Sequence, residues 1–271
     1  MFTVDRIDSL DLPQLQPYRT MRRQHEHRQQ GIFVAEGEKV VRRLLESGFE
    51  VVSLLIPEKW LIELEPLLRA RKEEIRVFLA DKKLLESMTG FSMYQGLLAV
   101  GRIPPKPTLA EIVSRFRRPY LFAALDGLSS AENTGAVVRN CAAFGVHALL
   151  VSETCSSPFL RRAVRSSMGT VFQLPIIEGV KLTETLAWLR AQGVHCIAAH
   201  PHIEQRKLSQ ANFVSDCCIL LGSEGYGISP AVMELCQDAV AIPMAARVDS
   251  LNVSAAAAVF LFEANRQRGK A

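Results

Sequence analysis

The sequence predicts an α/β protein in two parts, and three observations carry that expectation. Strand-like apolar runs alternate with helical periods in both halves, and a proline-rich segment separates the halves. The runs of the second half are continuously apolar, as parallel strands buried on both faces are. With 271 residues and 48% hydrophobic content, the chain has material for one large domain or two modest ones with real cores.

Taken in order, Ile32-Phe33-Val34 reads as a strand or turn, and Val40, Val41, Leu44 and Leu45 then recur on one helical face. The run Val51-Val52-Ser53-Leu54-Leu55-Ile56 is β-rich. A helix over 59–71, a short strand at 76–79, a helix from near Asp81 and a strand at 96–100 complete the first half. Arg102-Ile103-Pro104-Pro105-Lys106-Pro107 sets three prolines in four positions, which stiffens the chain and excludes both helix and central strand. The expected division is a smaller N-terminal α/β domain at 1–103, a linker and lead-in helix at 104–118, and a second domain at 119–271. A helix at 108–116 leads into that second domain. Its expected strands are 120–125, 148–151, 171–174, 196–199, 217–221 and 239–242, mostly separated by helical periods.

Charge and cysteine usage narrow the class. A net charge of +4 and a pI near 8.8 permit nucleic-acid binding without requiring it. Arg19, Arg22, Arg23 and Arg28, with His25 and His27, form either a solvated helix face or a phosphate-contacting surface. The six cysteines form no C-x-x-C pair and several lie in apolar runs, so they read as reduced, buried thiols of an intracellular protein. The opening MFTVDRIDSLDLPQ is charged too early for a signal peptide, and no apolar run reaches the ~18 residues of a membrane span. A cytoplasmic protein with no membrane partner is expected.

Three segments carry the chemistry. The first runs from Leu125 to Asn140 and includes Asn133, Gly135 and Arg139. It follows a strand and opens a helix, with Asn133 expected as the N-cap and Arg139 nearly two turns on. The second, Gly222-Ser223-Glu224-Gly225-Tyr226-Gly227-Ile228-Ser229-Pro230, leaves a strand through three glycines before a helix restarts with Pro230 at its first position. Its G-x-x-G-x-G order differs from the dinucleotide fingerprint, and no acidic residue lies about 20 positions on. In the third, Asp249-Ser250-Leu251-Asn252-Val253-Ser254, Ser250 or Asn252 caps an alanine-rich helix. Small and polar residues at the carboxyl ends of strands are where α/β sheets bind ligands.

Together these segments resemble the three signature motifs of the SpoU (TrmH-type) RNA ribose methyltransferases of the SPOUT superfamily. The matches are N-x-G-x-x-x-R at Asn133, Gly135 and Arg139; G-x-E-G-x-G at Gly222, Glu224, Gly225 and Gly227; and S-L-N-V-S-x-A from Ser250 to Ala256. Ser223 departs from the asparagine common at that place. The resemblance spans about 119–268. The first half is similar, less specifically, to the family's substrate-binding domain through Phe33-Val34-Ala35-Glu36-Gly37 and Gln95-Gly96-Leu97-Leu98-Ala99-Val100.

The resemblance implies a C-terminal trefoil knot on a mostly parallel sheet, an exception to the general absence of knots. It implies S-adenosyl-L-methionine as cofactor, no metal, and methylation of a ribose 2′-hydroxyl, with ribosomal RNA favoured over transfer RNA. Gly222, Ile242 and Leu251, assisted by Ser250 and Asn252, would contact the cofactor. Arg139, Glu224 and Asn252 would be catalytic. Arg139 would act as a base or as a phosphate clamp, and a guanidinium is a poor base. Asn133 and Arg139, with Arg19, Arg22, Arg23 and Arg28, would meet RNA. The class is usually dimeric, and Ala255–Ala258 with Val259 would pack closely across the interface or within the chain. The rival readings are a Rossmann-type oxidoreductase, which fails on the glycine order, and a non-catalytic RNA-binding assembly factor, against which the intact motifs argue.

Overall fold

The computed structural model describes residues 1–89, 96–201, 206–245 and 248–269, without the side chains at 24, 25, 82 and 87–89. Gln95 of the matched segments and the His25 side chain lie outside the described residues. Two compact units divide the chain: Met1–Pro105 with Phe159–Gln173, and Lys106–Pro158 with Leu174–Ala271.

The first unit opens with β1 (Phe2–Arg6), α1 (Gln16–Arg19), α2 (Gln24–Gln29) and β2 (Ile32–Glu36). It continues with α3 (Glu38–Glu46), β3 (Val51–Ile56), α4 (Lys59–Arg69), β4 (Ile75–Leu79), α5 (Lys82–Thr89) and β5 (Leu98–Arg102). The sheet order is β1-β4-β3-β5-β2, with β5 antiparallel to both neighbours. Periodicity located α3 well: Val40, Val41, Leu44 and Leu45 are its four buried residues. β1 was not expected, because this edge strand is mostly exposed and carries no alternation; parallel pairing with β4 makes it a strand.

The second unit runs through α6 (Leu109–Arg115), β6 (Leu121–Asp126), α7 (Ala131–Ala143) and β7 (Ala148–Ser152). α8 (Arg161–Ser166) follows in the chain but belongs to the first unit. Then come β8 (Ile176–Val180), α9 (Leu182–Ala191), β9 (His195–Ala199), β10 (Cys217–Gly222), α10 (Pro230–Met233), β11 (Asp238–Val240) and α11 (Val253–Gln267). All six strands are parallel, in the order β11-β9-β10-β6-β7-β8.

The strand expected at 171–174 is absent. Thr170–Phe172 forms a 3-10 turn with Val171 and Phe172 buried, and the strand begins at Ile176. A short apolar run signals burial rather than strand, and here the burial is aromatic. Phe172 stacks on Phe33 with centroids 5.4 Å apart, and Phe159 lies 5.9 Å from the same ring. Around this cluster Arg161 and Arg165 both pair with the buried Glu36, and Arg43 Nη1 donates to Met168 O at 2.7 Å. The last strand also stops early, at Val240, leaving Ile242 in a loop.

α11 packs against α7 and β10. Beyond its end, the Arg268 guanidinium donates to four carbonyls, those of Pro119, Tyr120, Phe213 and Ser215, at 2.7–3.0 Å. The six cysteines are free. Burial pushes Cys141 and Cys196 up to about 12 and Cys217 and Cys236 up to about 11, so none of these is a ready nucleophile. No described helix is long and apolar enough to cross a membrane.

Candidate active site

The central strands β6 and β10 run in register, so that Leu221 pairs with Leu125 and Gly222 with Asp126. Their carboxyl ends are therefore level and deliver the first two motif segments side by side. The buried Asp126 carboxylate accepts from Ser229 N at 2.8 Å, which ties the loop after β10 to the end of β6. That loop closes on itself: Ser223 and Gly227 exchange main-chain bonds at 3.0 Å each way, and Ser223 Oγ accepts from Tyr226 N at 3.1 Å. A small polar side chain at 223 thus has a definite task, which explains why serine serves there.

Gly222, expected at the cofactor, also has a steric part within the loop. A Cβ at this position would stand 2.1 Å from the Gly227 carbonyl carbon and 2.3 Å from Ile228 N. Glycine is demanded first by the loop folding over it, before any ligand enters the cleft.

The N-cap of α7 is Ser130, whose Oγ accepts from Asn133 N at 3.3 Å; the expectation that Asn133 caps this helix is corrected. Freed from capping and placed in the first turn, the Asn133 side chain bridges the other two segments. Its Nδ2 donates to Glu224 Oε1, and its Oδ1 accepts from Asn252 Nδ2 at 3.2 Å. Asn252 is the N-cap of α11, accepting from Ser254 N at 2.9 Å and Ser254 Oγ at 2.7 Å. Asn140, two turns along α7 on the same face as Asn133, donates to Ser254 O at 2.6 Å. One network therefore joins Glu224, Asn133, Asn252 and Ser254.

Beside this network lies a cleft of roughly 390 Å³, within the range of small-molecule sites. Its lining includes Leu221, Ile228, Ile242 and Leu251, with Ser250, Asp249 and Glu224 supplying polar groups. The main-chain groups of Ile242 and Leu251 make no hydrogen bond within the described residues. An apolar slot edged by unused main-chain donors and acceptors fits a purine, and carboxylates in the lining fit a cationic group.

Of the residues expected at a cofactor, Gly222, Ile242, Ser250 and Leu251 line this cleft, whereas Asn252 does not. Arg139 is exposed, has no partner among the described residues and does not line the cleft. Six positions beyond Asn133, it is turned about 240° around the helix from the bridging face. In the first unit, Arg19 lies 3.5 Å from Asp11 and Arg23 3.1 Å from Glu26, while Arg22 and Arg28 are exposed. Sequence reasoning missed Asp126 and Asn140. Asp126 ends a fully buried strand, which is a readable signal for a polar residue with a task.

Residues 120–262 match the SpoU rRNA Methylase family, and residues 13–99 match an MRM3-like substrate binding domain. The chain belongs to the SpoU rRNA methylase family. An uncharacterized tRNA/rRNA methyltransferase of Mycobacterium tuberculosis is 32% identical over 238 residues, covering 87% of this chain and 81% of the relative. The 23S rRNA (guanosine-2'-O-)-methyltransferase RlmB of Escherichia coli is 30% identical over 207 residues, covering 75% and 84%. Among solved structures, the SpoU methyltransferase AviRb from Streptomyces viridochromogenes in complex with AdoMet superposes with a TM-score of 0.82 at 26% identity, covering 95% of this chain and 98% of that one. An RNA 2'-O ribose methyltransferase gives 0.77 at 29% identity, covering 99% of both. The three segments joined by the Asn133 bridge all lie within the residues that match the SpoU family.

Proposed function

We propose that this SpoU methylase transfers a methyl group to a ribose 2′-hydroxyl of ribosomal RNA. The observation that carries the reading is the Glu224–Asn133–Asn252 network at the edge of an apolar cleft, built from all three motifs. S-adenosyl-L-methionine supplies the methyl group from its sulfonium when bound. Gly222, Ile242, Ser250 and Leu251 would hold it, largely through main-chain groups, and Asn252 would act from behind by capping α11.

The 2′-hydroxyl must be aligned for in-line attack, so positioning dominates the chemistry. Glu224, oriented by Asn133, is suited to hold the ribose or its proton, with Asn252 fixing Asn133. Arg139, exposed and without a carboxylate partner among the described residues, suits a phosphate clamp better than a base. Since it lies off the bridging face of its own helix, we infer that it serves the site of a second subunit. The outer stripe of α11 supports such a homodimer: Ala255, Val259 and Phe262 are exposed at helical spacing, and Phe262 packs 6.5 Å from Phe144. The grip of Arg268 on segments preceding β6 and β10 supports a trefoil knot closed by α11.

The first unit, with Arg19, Arg22, Arg23 and Arg28, would dock the RNA and leave the chemistry to the second, with Phe159–Gln173 of the expected 119–271 domain counted in the first unit and the expected linker 104–118 divided after Pro105, against the expected limit at 103. Free thiols, buried at Cys141, Cys196, Cys217 and Cys218 and half-buried at Cys155 and Cys236, agree with work in the cytoplasm. The test is methyl transfer from labelled S-adenosylmethionine to purified ribosomal RNA, followed by mapping of sites resistant to alkaline cleavage. Incorporation at a defined 2′-hydroxyl is expected; no incorporation into ribosomal RNA overturns the reading.

A further inference from the structure

Tyr226 is 98% exposed, yet the segment that displays it is held firmly. Its N–H is bonded to Ser223 Oγ, the Ser223–Gly227 pair closes the loop beneath it, and Ser229 is tied to Asp126. The ring itself packs against no aromatic, cationic or hydrogen-bonding group among the described residues. A ring presented in water on an ordered loop does nothing for the fold.

The neighbouring Gly225 points to a ligand. Unlike Gly227, it has no left-handed φ, and a Cβ added there would meet nothing within 4 Å. Neither backbone conformation nor packing demands glycine at 225, so the missing side chain leaves open the space beside Tyr226 at the cleft. The loop 223–227 lines that cleft, and Glu224, two residues from Tyr226, joins the polar network.

We propose that Tyr226 is a nucleobase-stacking residue, its ring receiving the base of an unpaired RNA nucleotide at or next to the methylated ribose. This rests on the methyltransferase reading above. RNA enzymes reach ribose in unpaired segments, whose splayed bases stack on aromatic side chains, and such stacking tolerates any base because each has a π-face. Tyr226 therefore contributes to positioning and RNA affinity rather than to the identity of the base. A second copy of the chain is the competing occupant. Interface cores gather apolar residues, whereas Tyr226 has Ser223, Glu224 and Gly225 around it, and the apolar stripe lies instead on α11.

The full-length protein with Tyr226→Ala, Tyr226→Phe or Tyr226→Trp tests this. Tyr226→Ala is expected to lower kcat/KM for RNA roughly tenfold or more, mainly through KM. Its affinity for S-adenosylhomocysteine and its sedimentation should stay as in the parent. Tyr226→Phe and Tyr226→Trp should retain activity within a few-fold, and the tryptophan added in the latter should be quenched by RNA beyond any quenching in the parent. An unchanged KM in Tyr226→Ala, absent quenching, or loss of activity together with dissociation of the oligomer overturns the proposal. If the parent methylates RNA and Tyr226→Ala matches it, only this inference falls; if the parent transfers no methyl group, the underlying reading falls with it.

Discussion

Asn252 donates its side-chain amide to Asn133 Oδ1 at 3.2 Å, across 119 positions of sequence. The same Asn133 donates to Glu224, 91 positions away, so a single amide holds together the first turn of α7, the loop after β10 and the start of α11. With both ends engaged, the amide cannot be exchanged for a carboxylate: Asp would keep the acceptor for Asn252 but set a second negative charge against Glu224.

Asn133→Asp is accordingly expected to lose about tenfold to a hundredfold in kcat, as removal of a positioning group does. Asn133→Ala should fall in the same range. S-adenosylhomocysteine affinity should change little, since Asn133 does not line the cleft. Steady-state kinetics beside calorimetric titration separates the two effects, and an unchanged kcat would remove the bridge from the mechanism.

Arg139→Ala should cost at least about a hundredfold in rate, with stability and cofactor affinity unchanged, because the guanidinium has no partner among the described residues. If it serves the partner's site, co-assembly of Arg139→Ala with Glu224→Ala chains restores about a quarter of the parent activity, since half the random dimers carry one intact site. Absence of any recovery in mixed dimers would place both residues in the same subunit's site.

Gly222→Ala is expected to be worse than a cofactor-site mutation alone. The added methyl meets the Gly227–Ile228 peptide at 2.1–2.4 Å, so the loop must move. Overpacking of this kind costs about 1–3 kcal/mol. Thermal unfolding should therefore shift downward together with loss of S-adenosylhomocysteine binding; loss of binding at an unchanged Tm would mean that the loop gives way freely.

Arg71 and Glu73 make the pH dependence of the first unit testable. Burial raises Glu73, but bonds from Arg71 and from Val51 N more than reverse this and hold it at about 2. A carboxyl depressed below its unfolded value of ~4.3 stabilises the fold fully above that pH and loses the contribution as pH falls toward 2. Glu73→Gln should thus be less stable than the parent at pH 7, with the gap closing between about pH 4.5 and 2. Urea unfolding across that range checks it, and a gap that is constant with pH would contradict the linkage.

Neutralising Arg19, Arg22, Arg23 and Arg28 together should weaken RNA binding and flatten its dependence on salt, because fewer counterions are released. Arg19 and Arg23 lie beside Asp11 and Glu26, so exposed Arg28 should carry more of the effect than either. Affinity measured across a salt series decides; equal slopes would return these residues to the role of a solvated face.

Where an apolar pattern repeats over several residues, the amino-acid sequence determined the element. The stripe Val40, Val41, Leu44 and Leu45 specified α3, the apolar run at 51–56 specified β3, and the composition of three segments singled out the ends of β6 and β10 and the start of α11, which the fold joins through Asn133. Tertiary structure alone decided what those segments do to one another. Ser130 took the cap and released Asn133, the loop closing over Gly222 gave that glycine a steric reason, and the turn of α7 carried Arg139 away from the bridge. It also decided that Phe159–Gln173 leaves the unit on either side of it, because Phe159, Phe172 and the Glu36-paired arginines find their partners in the first sheet. The physical reason is common to all of these. Periodicity encodes which face of an element is buried, whereas the partner on that face is set by packing between positions up to 149 residues apart, as in the Arg268–Pro119 hydrogen bond, and no local pattern records it.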